Sequence, residues 1–154
     1  LTSNGVALDT GENRLGRLVP TDPATPVDTV REQFRAQGYL WLKGFFDREA
    51  ILGFRERFFA AFANLGLLMP GSSPREGRYS GNDISLRAVN QRLMEFVRSA
   101  AYESFCLQPR LWRFYDGFLE GPSYLHKRKI IRYTVPHALR STGAHYDLIY
   151  LRSG

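Results

Sequence analysis

The sequence predicts an α+β fold, and three observations carry that reading. Amphipathic runs with apolar residues three and four apart recur between residues 25 and 119. One short apolar run, Tyr39-Leu40-Trp41-Leu42, interrupts them early. After Gly121-Pro122 the character changes, and residues 124–135 and 144–151 become rich in β-branched and aromatic side chains. The order is helix, strand, several helices, then strands. Such an order sets helices against a sheet whose remaining strands would follow Gly154.

The elements follow from local chemistry. Residues 1–24 are rich in Gly, Thr and Pro and lack an apolar period, so they read as an extended, mobile arm. The rest, 25–154, reads as one domain. Thr25 is placed to cap a first helix, Pro26 suits its first turn, and Asp28 lies near the positive end of its dipole. Gly38 stops that helix. Residues 39–42 read as a short buried strand, and Gly44 turns the chain. Asp47 can cap a second helix running to about Asn64, with Ile51, Phe54, Phe58, Phe59 and Phe62 as its stripe. Gly66 closes it. Residues 67–83, with Pro70, Gly71, Ser72, Ser73, Pro74, Gly77 and Gly81, read as a loop long enough to serve as a substrate lid.

Leu86, Val89, Leu93, Phe96 and Val97 then share a helical face. A short helix is expected near Ala100 to Leu107. A third follows Pro109 with Leu111, Trp112, Tyr115 and Leu119, and Trp112, Phe114 and Tyr115 read as core. Residues 124–135 read as a strand ended by Pro136, and 144–151 as the last strand.

Composition narrows the function classes. A chain of 154 residues can build one modest core. The net charge is +6, but the basic residues are interleaved with acids except at Lys127-Arg128-Lys129 and Arg132. No nucleic-acid reader motif accompanies them, so nucleic acid is not expected as a partner. No apolar run approaches a membrane span, and no secretory signal is visible. The expected setting is the cytoplasm or an organellar interior. Cys106 is the sole cysteine and reads as a small core residue, which excludes an intrachain disulfide. The chain opens on Leu1 and closes on Gly154 directly after a strand. It is therefore read as the N-terminal part of a longer protein, of unassigned oligomeric state.

The candidate chemistry lies in Ala144-His145-Tyr146-Asp147-Leu148-Ile149-Tyr150-Leu151. On a strand, alternate side chains share a face, so His145 and Asp147 would point the same way. An imidazole and a carboxylate so placed supply two of the three ligands of a two-His, one-carboxylate iron site with open positions. The triplet by itself leaves other roles open: His145 and Asp147 could bond each other or cap a turn.

The wider segment Ser141-Thr142-Gly143-Ala144-His145-Tyr146-Asp147 resembles the iron-binding segment of the phytanoyl-CoA dioxygenase family. The N-terminal run from Phe34 through Gly38-Tyr39, Gly44-Phe45 and Asp47-Arg48-Glu49 is also similar to the start of that family's domain. The two landmarks together span about residues 28–154 and occur in the family's order. The resemblance implies a double-stranded β-helix, or jelly roll, packed by the N-terminal helices and here incomplete. It implies Fe(II) as metal, held by His145 and Asp147. It also implies 2-oxoglutarate and O₂ as cosubstrates and a small organic molecule as the substrate oxidised, most simply by hydroxylation.

The family also requires a second His on a later strand and then an Arg for the distal carboxylate of 2-oxoglutarate. Neither follows Asp147 in this chain, since His126 and His137 precede the motif. A further contact to 2-oxoglutarate is expected from the strand before the turn. Lys129, Ile131 and Tyr133 alternate there with Ile130, Arg132 and Thr134. Arg132, if it faces the core, would need a carboxylate; Tyr133 is the candidate on the opposite face. Tyr150, and with it Arg152, is a candidate for the mouth of the site. Asp147 argues against halogenation, which in related enzymes needs a small residue there. The alternative is a truncated or decayed relative that acts as a non-catalytic interaction module.

Overall fold

The structure is a computed structural model that describes residues 2, 3 and 5–136. These divide into two compact units, one being Val19–Arg132 and the other the described residues outside it. Among the described residues five α-helices dominate, and the single ladder is a two-residue hairpin.

That hairpin lies in the expected arm. Strands β1 (Thr2–Ser3) and β2 (Val6–Ala7) pair antiparallel, with Thr2 opposite Ala7 and Ser3 opposite Val6. Gly5 between them has φ +81°, which suits a residue without Cβ. The sequence carried a signal for this turn, because Asn-Gly favours a two-residue hairpin. Asp9 then accepts the Gly11 N–H at 2.9 Å. The arm's far end is not free, a correction to the expectation for residues 1–24. Thr21 is buried, donates its N–H to the Trp41 carbonyl at 2.8 Å and bridges in parallel to Leu42. The Val19 N–H donates to the Tyr39 hydroxyl at 3.0 Å.

Helix α1 spans Val27–Gln37 and ends at Gly38 with φ 75°. Pro26 occupies its N-cap position with no side-chain cap bond, so Thr25 does not cap as expected. Instead, Asp22 organises the approach, accepting the Ala24 N–H at 2.8 Å on its side chain and the Thr25 N–H at 2.9 Å on its carbonyl. Residues 39–42 make one bridge through Leu42 and no strand, and Trp41 is 40% exposed. Helix α2 spans Arg48–Ala60 and is capped by Asp47, whose carboxylate accepts the Ala50 N–H at 3.0 Å. A 3₁₀ turn at Ala63–Leu65 follows, closed by Gly66 at φ 69°.

The loop 67–83 folds back on itself. Leu68 and Tyr79 bridge antiparallel, and Ser80 and Asn82 side chains both donate to the Gly66 carbonyl. Arg55 on α2 donates to the Glu76 carbonyl, and Arg75 pairs with Glu49. Leu67 is buried at the loop's root. Helix α3 (Leu86–Val97) is capped by Ser85 and α4 (Ala100–Cys106) by Ser99. Helix α5 (Pro109–Leu119) starts with Pro at N1 and ends at Glu120, φ 58°. These helices match the expected positions closely, because a cap, a periodic face and a breaker agree at each.

The core is aromatic, and all eleven phenylalanines join one network of ring contacts. It runs from Phe62 and Phe58 on the α2 side to Phe96 on α3, then through Phe54 to Phe105 on α4. Phe46 and Phe45 carry it on to Phe114 and Phe118 of α5, and Phe34 of α1 ends it. Arg31, with a side chain only 16% exposed, fastens α1 to the end of α5. It donates to the Gly117 carbonyl at 2.7 Å and pairs with Asp28 and with Glu120, the latter at 3.2 Å.

Residues 124–135 carry no strand, a correction to the sequence expectation. Their composition suits a strand, but backbone groups form a ladder only beside another extended segment. Among the described residues no bridge joins them to a neighbouring segment. A jelly roll is likewise not part of the described residues.

Candidate functional site

His145, Asp147, Tyr150 and Arg152 lie outside the described residues, as does His137. Arg132 and Tyr133 lie within them. Arg132 is exposed, and Tyr133 is half-buried. Lys129 and Ile131 are half-buried while Ile130 is 57% exposed, so the expected alternation exists without a sheet. Arg132 therefore sits on the outward-facing side of its segment in Val19–Arg132. Among the described residues no group of three or more His, Cys, Asp or Glu side chains could hold a metal ion. His126 is exposed, and its Nδ1 accepts the Arg128 N–H at 3.1 Å, a local turn contact. Among the same residues no helix is long and apolar enough to cross a membrane.

What the structure does assemble is an apolar cavity of about 580 Å³ within Val19–Arg132. Its floor comes from Phe54 of α2 with Phe105 and Cys106 of α4. One wall is the α5 stripe of Leu111, Trp112, Tyr115 and Leu119. The opposite wall is the segment after α5, through Tyr124, Leu125 and Ile131. Trp112 and Tyr115, expected as core, thus line the cavity, whereas Phe114 packs edge-on against Phe45 at 5.3 Å as expected. The cause is the helix period. Phe114 and Phe118 share the side of α5 that meets α1, and the Leu111-Trp112-Tyr115-Leu119 stripe lies on another side. This volume is in the range that small organic molecules occupy, and the lining is of the usual apolar kind.

The polar groups at the cavity are few. The Tyr102 hydroxyl donates to the Ile130 carbonyl at 3.2 Å, tying the far wall to α4. It also lies within hydrogen-bond reach of the Cys106 thiol. Burial pushes the Cys106 thiol above the usual thiol range; Lys129 opposes that shift and Glu103 adds to it. Tyr102 is raised as well, mainly by burial and then by Cys106. Both groups are therefore held neutral, and neither is prepared as a nucleophile. Ser123 donates its N–H to Asp116 at 2.6 Å, which folds the chain back after α5, while its own Oγ is buried without a protein partner.

The sequence contained the signal for this cavity. The α5 stripe was legible, and so was the apolar character of residues 124–131. What was not legible is that these two faces stay apart instead of closing on each other. Comparison of the chain with protein-family models, with curated proteins and with solved structures gave no match.

Proposed function

We propose that this chain is the N-terminal part of an Fe(II)- and 2-oxoglutarate-dependent oxygenase of the phytanoyl-CoA dioxygenase type, acting on a small organic substrate. The observation that carries the proposal is the segment Ser141-Thr142-Gly143-Ala144-His145-Tyr146-Asp147. Its imidazole and carboxylate are a donor pair that suits Fe(II) and leaves positions for a 2-oxo acid and O₂. The N-terminal landmark adds support. Helix α1 ends at Gly38 and α2 opens on Asp47, with Gly44 at φ 76° between them, in the order the family pattern requires. When bound, the iron would couple oxidative decarboxylation of 2-oxoglutarate to oxidation of the substrate. We take the cytoplasm or an organellar interior as its setting.

In this reading His145 and Asp147 hold the metal. Arg132 and Tyr133 remain the candidates for 2-oxoglutarate and Tyr150 for substrate. The exposure of Arg132 favours Tyr133 of the two.

The coding sequence downstream of Gly154 is the first test. It should encode further alternating strands, a His and then an Arg; their absence overturns the reading. The second test uses the complete gene product under anaerobic Fe(II) and 2-oxoglutarate. The visible charge-transfer absorption of an iron–oxo-acid chelate should appear, succinate should be released once O₂ is admitted, and Asp147→Ala should abolish both. A folded protein that takes up no Fe(II) would instead favour a non-catalytic interaction module. The open apolar cavity beside α5 is the observation that speaks for that second reading.

A further inference from the structure

We propose that the cavity between α4, α5 and residues 123–131 is a binding site for a small aromatic carboxylate. This goes beyond the oxygenase reading and does not depend on iron. Two features of the cavity select such a ligand.

The first is shape. Trp112, Phe54 and Phe105 present rings to a space of about 580 Å³. Phe54 and Phe105 are themselves stacked, with centroids 4.1 Å apart and planes 27° from parallel, and so offer a flat surface. Flat walls reward a flat ring, since offset stacking and edge contacts add to simple burial.

The second is charge. Lys129 is half-buried on the same side of its segment as Ile131, which lines the cavity, while Ile130 between them is exposed. Its ammonium acts on the Cys106 thiol in the lining and makes no ion pair with an acid among the described residues. Glu103 also acts on that thiol, but lies on the exposed side of α4. Lys127, two residues before Lys129, adds a second cation along the same stretch. An apolar space whose lining segment also carries the half-buried Lys129 is complementary to a molecule with an apolar body and one anionic end. The carboxylate would give Lys129 the charge-assisted partner it lacks, and the ring would cover the aromatic floor.

The probe is 2-naphthoate, with 2-naphthalenemethanol as a neutral counterpart of similar shape. Binding to the 154-residue chain is followed by titration calorimetry and by quenching of tryptophan fluorescence, with Trp112→Phe assigning the signal. All measurements are made in EDTA. Saturable one-to-one binding of naphthoate is expected. Lys129→Met keeps most of the apolar stem and removes the charge; it should weaken naphthoate about tenfold and leave the alcohol within about twofold. Because Lys129 is only half-buried, this variant is expected to keep its fold, which far-ultraviolet circular dichroism checks. 2-Oxoglutarate, which has no ring, should not compete. Absence of saturable binding would overturn the proposal, and so would naphthoate binding that Lys129→Met leaves unchanged. Either failure would leave the iron reading standing, and failure of Fe(II) uptake would leave this one standing.

Discussion

Helices α3 and α5 are near twins in sequence pattern and opposites in burial. Each has eleven or twelve residues and a clear apolar stripe. Helix α3 buries Val89, Leu93, Phe96 and Val97, whereas α5 buries no residue fully. The difference lies in what each stripe meets. Phe96 on α3 contacts the rings of Phe54 and Phe58 on α2. The stripe of α5 faces a cavity, and only its other side, through Phe114 and Phe118, is packed. An amphipathic period thus announces that a helix has a face to cover, and says nothing about what covers it.

The largest expected effect tests that contrast directly. Phe62 is fully buried, so Phe62→Ala should cost about 3–5 kcal/mol of unfolding free energy. Trp112→Ala removes a larger side chain from the open side and should cost only about 1–2 kcal/mol. Urea denaturation of both variants measures the difference. Equal losses would break the comparison, because they would mean that the α5 face is covered.

The closed side also depends on the loop 67–83. Gly77 has φ +58°, and a Cβ there would run into the Phe59 ring and the Arg55 guanidinium of α2. Gly77→Ala should therefore cost about 1–3 kcal/mol. It should also open the loop to limited proteolysis between Leu67 and Asp83. Unchanged stability and protection would show that the loop does not close that side. The result bears on function too, since a loop bonded to α2 through Arg55 and Arg75 is fastened, where a lid would have to open.

The smallest effect reads the open side. Burial raises the Cys106 thiol, so less thiolate exists at a given pH than in the unfolded chain. Alkylation by iodoacetamide should then reach half its maximal rate at a higher pH in the folded protein than in urea. Lys129 lowers the thiol, so Lys129→Met should move that midpoint further up. A downward move would show that Lys129 does not act on the cavity.

Much of the helical part was legible because independent local signals coincide. Asp47, Ser85 and Ser99 cap α2, α3 and α4, and Gly38 and Gly66 close elements with positive φ. The strands fared differently. Residues 39–42 and 124–135 have strand composition, yet the first makes one bridge and the second none. A helix satisfies its hydrogen bonds within itself, while a strand must borrow them from a neighbour. Of the candidate site, only Arg132 and Tyr133 fall among the described residues, and the alternation placing them on opposite faces was legible from sequence. Which face turned inward was not.

The sequence by itself determined where the helices start and stop, which helical stripes carry aromatic residues, and that His145 and Asp147 stand two apart. Tertiary structure alone decided that Thr21 joins the body of the fold, that the 67–83 loop is fastened to α2, and that Trp112 lines a cavity. Periodicity and caps are local properties of the chain. Whether a face closes on another depends on how distant segments meet, and no short stretch of sequence contains that.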